Sequence, residues 1–594
     1  MRGNRNKTLF RATWWRWWQA RDKWLLRLAV PGWLIALPLC AAAQPARAPL
    51  PPDTNTQELL RQQERERALR ERQEPSPEVR LDRPAATESE RLPADESPCF
   101  LIDRIELAGD AADRFRWALG AANPPGDAAI GRCLGTHGIN IVMKRVQDAL
   151  VQKGYVTTRV LAAPQDLKDG TLTLTVIPGR IRTIRFSEDS SPRATQWNAV
   201  PARPGDILNV RDIEQALENF KRVPTAEADI QITPAEGADA QPGDSDLVIR
   251  WHQGIPFRIS ATVDDSGSRQ TGKYQGSVTV SFDDWWTLND LFYVSLNHDL
   301  GGGDPGSRGT RGYTVHYSVP YRYWLLGFTV SGNDYYQSVA GANQTYRYSG
   351  ESRNAEVRLS RVLYRDAVRK TSAYLRGWSR GSNNYIDDTE IEVQRRRMAG
   401  WEIGIAHRQF LGPASLDASL GYRRGTGAIE SMRAPEERFN EGTSRPELLT
   451  ADAQLHVPFA LAAQRMRYTA ALRAQWNFTP LVPQDRFSIG NRYSVRGFDG
   501  ETTLIGDRGW FLRNEFGWAL GPIGIEFYAG ADYGQVGGPS ARFLSGTRLA
   551  GAVLGLRGGY RGLYADAFIG KPLYKPAGFR TASTTAGFNV SWSY

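Results

Sequence analysis

Histidine, cysteine and methionine are scarce in this chain of 594 residues, which contains six, three and five of them respectively. Three cysteines are too few for a small scaffold held together by disulfides. The histidines are dispersed and show no H-E-x-x-H or comparable ligand spacing, so we expect no metal site. They are His137, His252, His298, His316, His407 and His456. A P-loop and a G-x-S-x-G nucleophile motif are also missing, so we expect no enzyme and no cofactor.

Long apolar runs are missing as well. The longest uncharged apolar stretch is residues 28–43, and its 16 residues are short for a membrane-spanning helix. Aromatic residues, in contrast, make up 11% of the chain. General disorder would require far fewer aromatics, and a helical membrane protein would require longer apolar segments. The composition therefore predicts a folded chain with several domains or one large closed sheet.

Positive charge is concentrated at the N-terminus. Residues 1–43 contain eight lysines and arginines and one aspartate, so they carry +7 of the formal net charge of +10 and leave +3 for the rest. This basic stretch, the apolar residues 28–39 and the small residues 41–43 follow the order of an export signal. We predict a signal peptide at 1–43, a mature chain that begins near Gln44, and no binding to nucleic acid.

Without that segment the chain retains two cysteines, Cys99 and Cys133. In an oxidising periplasm an isolated pair is more readily a disulfide than two free thiols. Only His137 lies near the pair in sequence, which disfavours a metal site. We predict a Cys99–Cys133 disulfide, worth roughly 3–4 kcal/mol to its small domain through loop-closure entropy.

Residues 54–74 are polar nearly all round and are predicted to form a helix, with Thr54 and Gln57 in a capping-box arrangement. Such a helix cannot pack into an apolar core. It is either a solvated helix or a helix that rests in a water-filled channel. Residues 75–98 contain five prolines and many charges, and they predict a flexible linker.

Two similar α+β units follow, at residues 99–177 and 178–254. Each pattern predicts a strand, helical segments and then two strands, and in the first unit the main helix is predicted from Asn140 as N-cap to Gly154. The tandem of β-α-α-β-β modules resembles two POTRA domains. The open edges of so small a sheet can accept an extended client chain, although such a module can also be a rigid spacer.

From residue 255 to residue 594 the pattern changes to alternation of apolar and polar residues. The last strand is the clearest case, since Phe588, Val590, Trp592 and Tyr594 share one face. Sixteen strands are predicted, and long connections alternate with short ones. These features are typical of a transmembrane antiparallel β-barrel in the bacterial outer membrane. A soluble all-β domain is the alternative, and it leaves unexplained the aromatics beside the short turns, which are Trp285, Trp286, Tyr321, Tyr323 and Trp324.

Sixteen strands enclose a lumen wide enough for water. Parity along the predicted strand 523–533 sends Asp532 into that lumen. The longest loop, residues 477–508, contains Arg496. If this loop folds into the lumen, Arg496 can form a bidentate ion pair with Asp532.

The residues around this pair resemble the loop-six and strand-thirteen motifs of the POTRA-barrel superfamily of outer-membrane translocases. They are Val495, Arg496, Gly497 and Phe498, together with Gly530, Asp532 and Gly534. With the stretches 154–160, 170–172 and 178–181, the mature chain resembles two-partner secretion transporters of the TpsB type, in the ShlB/FhaC/HecB haemolysin secretion/activation group. Phe498 departs from the pattern, because relatives often carry tyrosine there.

The resemblance implies that residues 54–74 are a plug helix and that the two POTRA domains lie in the periplasm. There they would capture the N-terminal secretion domain of a large partner exoprotein, which is a haemolysin, an adhesin or a contact-dependent toxin. Export would pass through the barrel without nucleotide hydrolysis. The barrel would contact outer-membrane lipid and depend on the barrel assembly machinery for its own insertion. Arg496 and Asp532 would act in transport, or would only anchor a loop.

Two other functions are compatible with a barrel that carries periplasmic modules. An insertase of other barrels is one alternative, disfavoured by the presence of only two modules and a plug helix. A passive porin or receptor is the other, and it does not explain the tandem modules. Loss of an insertase would deplete many outer-membrane proteins, whereas loss of a dedicated transporter would deplete one or a few.

Overall fold

The computed structural model describes residues 54–74, 77–81, 90–236, 240–521 and 524–594. The predicted signal peptide at 1–43 lies outside these ranges, and so do parts of the predicted linker. The described chain contains an N-terminal helix, two small α+β domains and a closed antiparallel barrel. No helix within these ranges is long and apolar enough to cross a membrane.

Four α-helices are present in the described ranges: α1 (Thr54–Gln73), α2 (Ala112–Phe115), α3 (Thr136–Gln152) and α4 (Val210–Phe220). Short 3₁₀ segments lie at Arg116–Ala122, Glu392–Gln394, Pro435–Phe439, Pro483–Asp485 and Pro539–Phe543. The two longer domain helices, α3 and α4, each pack an apolar face into a domain core. Asn209 caps α4 by accepting the Arg211 amide at 2.9 Å.

The first α+β domain, called POTRA1 (99–177), contains β1 (Phe100–Ile102), β2 (Arg104–Gly109), β3 (Arg132–Leu134), β4 (Arg159–Leu161) and β5 (Thr171–Ile177). Its sheet has the order β2-β5-β4, with β2 parallel and β4 antiparallel to β5. β1 and β3 form a separate antiparallel pair. Helix α3 covers the sheet, and Leu150 and Leu172 are fully buried between them.

The second domain, called POTRA2 (178–254), repeats this arrangement. It contains β6 (Ile181–Phe186), β7 (Ala226–Pro234) and β8 (Ser245–Gln253), in the order β6-β8-β7. Helix α4 and the fully buried Trp251 share its core. β6 and β7 are the edge strands of this sheet.

The main helix of POTRA1 begins earlier than the sequence predicts. Asn140 is an interior residue of α3, which starts at Thr136. The Glu96 carboxylate supplies the cap instead, since it accepts the amides of Gly135, His137 and Gly138 at 2.6, 3.0 and 3.1 Å. These contacts hold the pKa of Glu96 below its ordinary value against the opposing effect of burial. Glu96 and His137 are 41 residues apart, so a cap of this kind leaves no local signal in the sequence.

Two described stretches of the predicted linker at 75–98 contact the folded domains. The amides of Val79 and Leu81 donate to Glu218 and Glu214 of α4, at 3.4 and 3.0 Å. Further along, Leu92 is 5% exposed and lies in the core of POTRA1. Composition alone does not reveal these tertiary contacts.

The barrel has sixteen long strands and is closed by the pairing of β27 with β9. They are β9 (Phe257–Asp264), β10 (Gln275–Asp283), β11 (Leu291–Asp299), β12 (Arg308–Tyr321), β13 (Trp324–Ala340), β14 (Thr345–Arg365), β15 (Arg369–Ile386), β17 (Arg396–Leu411), β18 (Ala414–Thr426), β19 (Glu447–Leu461), β20 (Gln464–Asn477), β23 (Arg508–Leu520), β24 (Ile525–Gly537), β25 (Arg548–Tyr560), β26 (Leu563–Tyr574) and β27 (Thr585–Ser593). Three short strands complete the numbering, β16 (Thr389–Glu390), β21 (Phe487–Ile489) and β22 (Leu504–Gly506). The predicted fold class is confirmed.

The barrel connections differ in length at its two ends. At the end near POTRA2, two residues join β12 to β13 and two join β25 to β26. At the other end, the longest connection is the segment 478–507 between β20 and β23, called loop six here because it follows the eleventh long strand. Loop six contains the β21–β22 hairpin, which the sequence did not predict. It folds back against the inner wall of the barrel, where its apolar residues form a small core.

Candidate functional site in the barrel lumen

Arg496 of loop six lies against Asp532 of β24, the thirteenth long strand. Its Nε donates to one carboxylate oxygen at 2.7 Å and its Nη2 to the other at 3.0 Å, so the pair is bidentate. The Arg496 amide adds a third hydrogen bond to Asp532 at 3.0 Å. Both residues are buried, at 6% and 3% exposure. The structure therefore brings together the two charged residues that the sequence singled out.

The site contains a second carboxylate that the sequence analysis missed. Glu515 of β23 accepts Nη1 of Arg496 at 2.5 Å and is also bound by Arg557 of β25. Glu515 is paired across the strands with Gly530, so it shares the inward face of Asp532. Alternation along 509–518 places Glu515 in the lumen. The sequence near Glu515 does not indicate that Arg496 contacts carboxylates on two neighbouring strands.

Glycines make room for loop six against the wall. A methyl group at Gly530 would lie 2.5 Å from Nη2 of Arg496, and one at Gly534 would lie 2.8 Å from Val495. Gly497 has a φ of +93°, which favours glycine, and a side chain there would meet the Lys571 carbonyl oxygen at 2.6 Å. The motif glycines thus permit close approach of the loop and the barrel.

Apolar residues flank the ion pair. Val495 is fully buried and Phe498 is 4% exposed, within a cluster that includes Leu549 and Phe579. The Phe498 ring packs edge-on against Phe579, with centroids 5.8 Å apart. The position occupied by phenylalanine instead of tyrosine is therefore apolar in this chain, and no hydroxyl is needed there.

Helix α1 lies inside the barrel, and Glu58 in its first two turns is almost fully buried there. Glu58 is 1% exposed and accepts hydrogen bonds from Arg61 and Arg65 at 2.8 and 2.7 Å. The hydroxyl of Thr271, in the connection after β9, also donates to it at 3.1 Å. Arg65 continues to Gln275 on β10 at 2.7 Å.

Helix α1 also contacts loop six. Arg61 donates to the Gly500 carbonyl oxygen at 2.9 Å, and Asn491 donates to Glu64 at 3.0 Å. Loop six is thus bound on one side to the barrel wall through Arg496 and on the other side to the helix. Displacement of either partner would disturb the other.

Further polar contacts join α1 to the wall, and Leu59 and Leu60 of the same helix are buried too. Arg70 pairs with Glu356 at 2.9 Å, and Arg72 donates to Thr262 at 2.8 Å. At the helix end, the Tyr293 hydroxyl donates to Glu74 at 3.2 Å. A cavity of about 740 Å³ remains beside the helix, lined by Arg67, Arg473, Arg513 and other charged residues. The helix therefore occupies the lumen without filling it, and charged side chains line much of the space that remains.

The cysteine pair lies far from this site, in POTRA1. Cys99 and Cys133 are joined by a disulfide that links the start of β1 to β3, with Cα atoms 5.3 Å apart. Within the described ranges, no group of three or more histidine, cysteine, aspartate or glutamate side chains is arranged to hold a metal ion.

These features define a POTRA-barrel transporter of the bacterial outer membrane. They are the closed sixteen-stranded barrel, the two POTRA domains, the helix in the lumen and the loop-six arginine that contacts strand thirteen. Residues 243–558 match the haemolysin secretion/activation protein family ShlB/FhaC/HecB, residues 100–179 match the ShlB-type POTRA domain, and residues 180–234 match a second POTRA family. The chain belongs to the ShlB/FhaC/HecB family.

Known relatives agree over nearly the whole chain. The outer membrane transporter CdiB-2 of Burkholderia pseudomallei strain 1026b is 38% identical over 571 residues, which cover 92% of this chain and 97% of that relative. The hemolysin transporter protein ShlB of Serratia marcescens is 26% identical, over 68% of this chain and 71% of that protein. The solved structure of CdiB from Acinetobacter baumannii has a TM-score of 0.80 at 31% identity and covers 93% of this chain and 100% of its own.

The family and fold also assign the location. The protein is an outer-membrane transporter of the two-partner secretion type, and its POTRA domains lie in the periplasm. The short turns at the POTRA2 end of the barrel are therefore periplasmic, and loop six enters the lumen from the extracellular end.

Proposed function

We propose that this protein binds the N-terminal secretion domain of one large exoprotein at its POTRA domains and exports that exoprotein through the lumen that α1 occupies at rest. The observation that supports this proposal is the set of contacts that α1 makes with the barrel wall and loop six. Hydrogen bonds and ion pairs hold the helix along its length, through Glu58, Arg61, Arg65, Arg70 and Arg72. The buried apolar side chains of its first half are few, Leu59 and Leu60.

Polar contacts of this kind suit a removable plug. Water can replace each hydrogen bond when the helix leaves, whereas extraction of an apolar helix would expose its buried face at about 25 cal/mol per Å². A charged wall also offers no continuous apolar surface on which an unfolded client would stick. The passage that remains is suited to an extended polypeptide.

POTRA2 offers an edge strand for the client. β7 spans nine residues, with Glu227, Asp229 and Gln231 exposed on alternate positions. An extended segment of the exoprotein can pair with such an edge through main-chain hydrogen bonds. This would orient the client beside the periplasmic end of the barrel.

Loop six supports the second part of the mechanism. Loop six is bound to β24 through Arg496 and to α1 through Asn491 and Gly500. Its position can therefore depend on whether α1 is in the lumen. We assign Arg496 and Asp532 to the control of loop-six position during transport. No nucleotide is consumed, and folding of the exoprotein at the cell surface would oppose its backward movement. The barrel assembly machinery is proposed to insert the barrel.

A tether of the plug tests the proposal. The Ser281 hydroxyl donates to Gln73 at 3.1 Å, so Gln73→Cys combined with Ser281→Cys places two thiols at the end of α1 and on the barrel wall. Exoprotein in the medium is expected to fall to background when this pair is oxidised and to recover on reduction. The matched controls are the two single variants and the unmodified protein under the same reductant, which also opens Cys99–Cys133. Undiminished secretion by the fully tethered protein would contradict the proposal.

A further inference from the structure

The periplasmic domain POTRA2 carries an exposed tryptophan beside the barrel. Trp197 lies on the connection between β6 and α4, and 61% of its surface is exposed. Its ring centroid is 6.0 Å from that of Tyr321, the last residue of β12. Neither the transport mechanism nor the core of POTRA2 uses this side chain.

The connection that carries Trp197 is fixed to two periplasmic turns of the barrel. Asn198 is 1% exposed, donates to the Leu288 carbonyl oxygen at 2.5 Å and accepts the Arg322 amide at its own carbonyl at 2.6 Å. Asn289 donates in turn to Asn198 at 2.9 Å and to the Thr195 carbonyl oxygen at 2.9 Å. The backbone next to Trp197 is therefore fixed between the turn 284–290 and the turn 322–323.

Both turns carry aromatic residues of the outer, lipid-facing side. Trp285 packs edge-on against Phe282 and Phe292, at 4.5 and 5.4 Å between centroids. Phe282 and Phe292 are paired across β10 and β11, and they alternate with the buried, inward Ser281 and Tyr293. The outward face of the barrel thus continues into the first turn.

The second turn shows the same character. Tyr321 and Trp324 are opposite residues at the ends of β12 and β13 and are 46% and 37% exposed. The Arg322 guanidinium lies 5.5 Å from the Tyr321 ring, and that of Arg361 lies 4.9 Å from the Trp324 ring. Aromatic rings with cations beside them are typical of the depth at which lipid headgroups and phosphates lie.

We propose that Trp197 inserts into the headgroup region of the periplasmic leaflet and that its ligand is phospholipid. Trp197 lies beside Tyr321 and extends the aromatic belt of the two turns onto POTRA2. An indole is suited to this position, because its ring is apolar while its N–H still reaches water or a headgroup oxygen. POTRA2 is then held against the membrane as well as against the barrel.

Site-specific photo-crosslinking in the outer membrane tests the lipid contact. Residue 197 is replaced by p-benzoylphenylalanine in the full chain, cells are irradiated, and the purified protein is analysed by mass spectrometry. Phospholipid adducts are expected at a yield similar to that of the same replacement at Trp324 and severalfold above that at Lys168, an exposed POTRA1 residue. A yield at the Lys168 level, or adducts with protein in place of lipid, would overturn the proposal.

A second variant covers the case in which the bulky crosslinker disturbs folding. Trp197→Cys is labelled with a small fluorophore in the full-length protein and reconstituted in phospholipid vesicles that contain lipids with a spin label near the headgroup. Severalfold stronger quenching is expected than for the same label on Lys168→Cys. Equal quenching at the two positions would place residue 197 in water and reject the anchor, whatever the state of the secretion mechanism.

Discussion

Arg365, the last residue of β14, donates to Glu214 of the POTRA2 helix α4 across 3.0 Å, and the two side chains are 6% and 0% exposed. The same guanidinium donates to Glu218 at 2.9 Å and to the Val79 carbonyl oxygen at 2.7 Å. One side chain therefore joins the barrel, POTRA2 and the segment that follows α1. The segment that follows α1 is therefore bound where POTRA2 meets the barrel.

Arg365→Ala is expected to loosen this junction. It removes one basic partner from each of two buried carboxylates, while Glu214 keeps Arg211 and Glu218 keeps Lys370. The cost should therefore lie below the roughly 3–5 kcal/mol of leaving a buried charge unpaired. Hydrogen exchange at the amides of Val79 and Leu81 should accelerate strongly, since both donate to those carboxylates. Arg353→Ala, an exposed arginine of the same strand, is the matched control. Equal protection in the two variants would show that Arg365 does not hold the segment.

Arg496→Ala is expected to abolish or strongly reduce secretion while the barrel still assembles. The change removes the bidentate contact with Asp532, whereas Glu515 keeps Arg557. Arg496→Lys should give an intermediate effect, because a lysine retains the charge without the fork geometry. Exoprotein in the medium measures transport, and heat-modifiable electrophoretic migration measures barrel assembly. Arg561→Ala, in the turn after β25, is the control, and normal secretion by Arg496→Ala would remove the residue from the mechanism.

Glu58→Gln should increase the steady conductance of the pore in planar bilayers. The carboxylate receives hydrogen bonds from Arg61, Arg65 and Thr271, and a hydrogen bond to a charged group contributes about 1.5–3 kcal/mol. Weaker retention of α1 leaves the lumen open for a larger fraction of time. Glu71→Gln changes an exposed carboxylate on the same helix and should leave conductance near that of the unmodified protein. A conductance that Glu58→Gln does not alter would argue that this contact does not retain the plug.

Replacement of both cysteines by serine is expected to destabilise POTRA1 and leave the barrel intact. The bridge closes a loop with a sequence separation of 34, for which chain entropy predicts roughly 3–4 kcal/mol. Thermolysin should cleave POTRA1 of the double variant faster than POTRA2 of the same molecule, which is the internal control. Unchanged cleavage of POTRA1 would show that the disulfide adds little to its stability.

POTRA1 should lose stability in acid through Asp127. Hydrogen bonds from Arg145, and then from the Leu92 amide at 3.1 Å, hold the pKa of Asp127 below its ordinary value. A carboxyl whose pKa is lower in the folded than in the unfolded chain stabilises the fold at any pH above its unfolded pKa of about 3.9. This stabilisation is lost as the pH falls through the pKa of the folded state. Calorimetry of the full chain should therefore show the POTRA1 transition moving down below about pH 4. Asp127→Asn should make the POTRA1 transition temperature less dependent on pH. An equally steep fall of that temperature in the variant would show that other groups cause the loss of stability.

Local patterns account for most of the architecture. Alternation with a period of two predicts each long strand and its outward face, because side chains on a pleated strand point to opposite sides in turn. The same rule places Asp532 in the lumen. The predicted N-cap of α3, Asn140, is wrong by five residues, since the helix follows Gly135 and the Glu96 carboxylate from outside the helix accepts its first amides.

Parity predicts which face a residue occupies but not which residue it meets. Glu515 and Asp532 point inward by alternation, but only the path of loop six brings Arg496 to both of them. Glu58 and Thr271 are 213 residues apart, and their contact requires α1 to lie inside the closed barrel. Strand number, facing and domain order were determined by the sequence alone, because they follow from short-range periodicity. The tertiary structure decided the charge partners and the contact of Trp197 with Tyr321, because these depend on how separately folded elements dock.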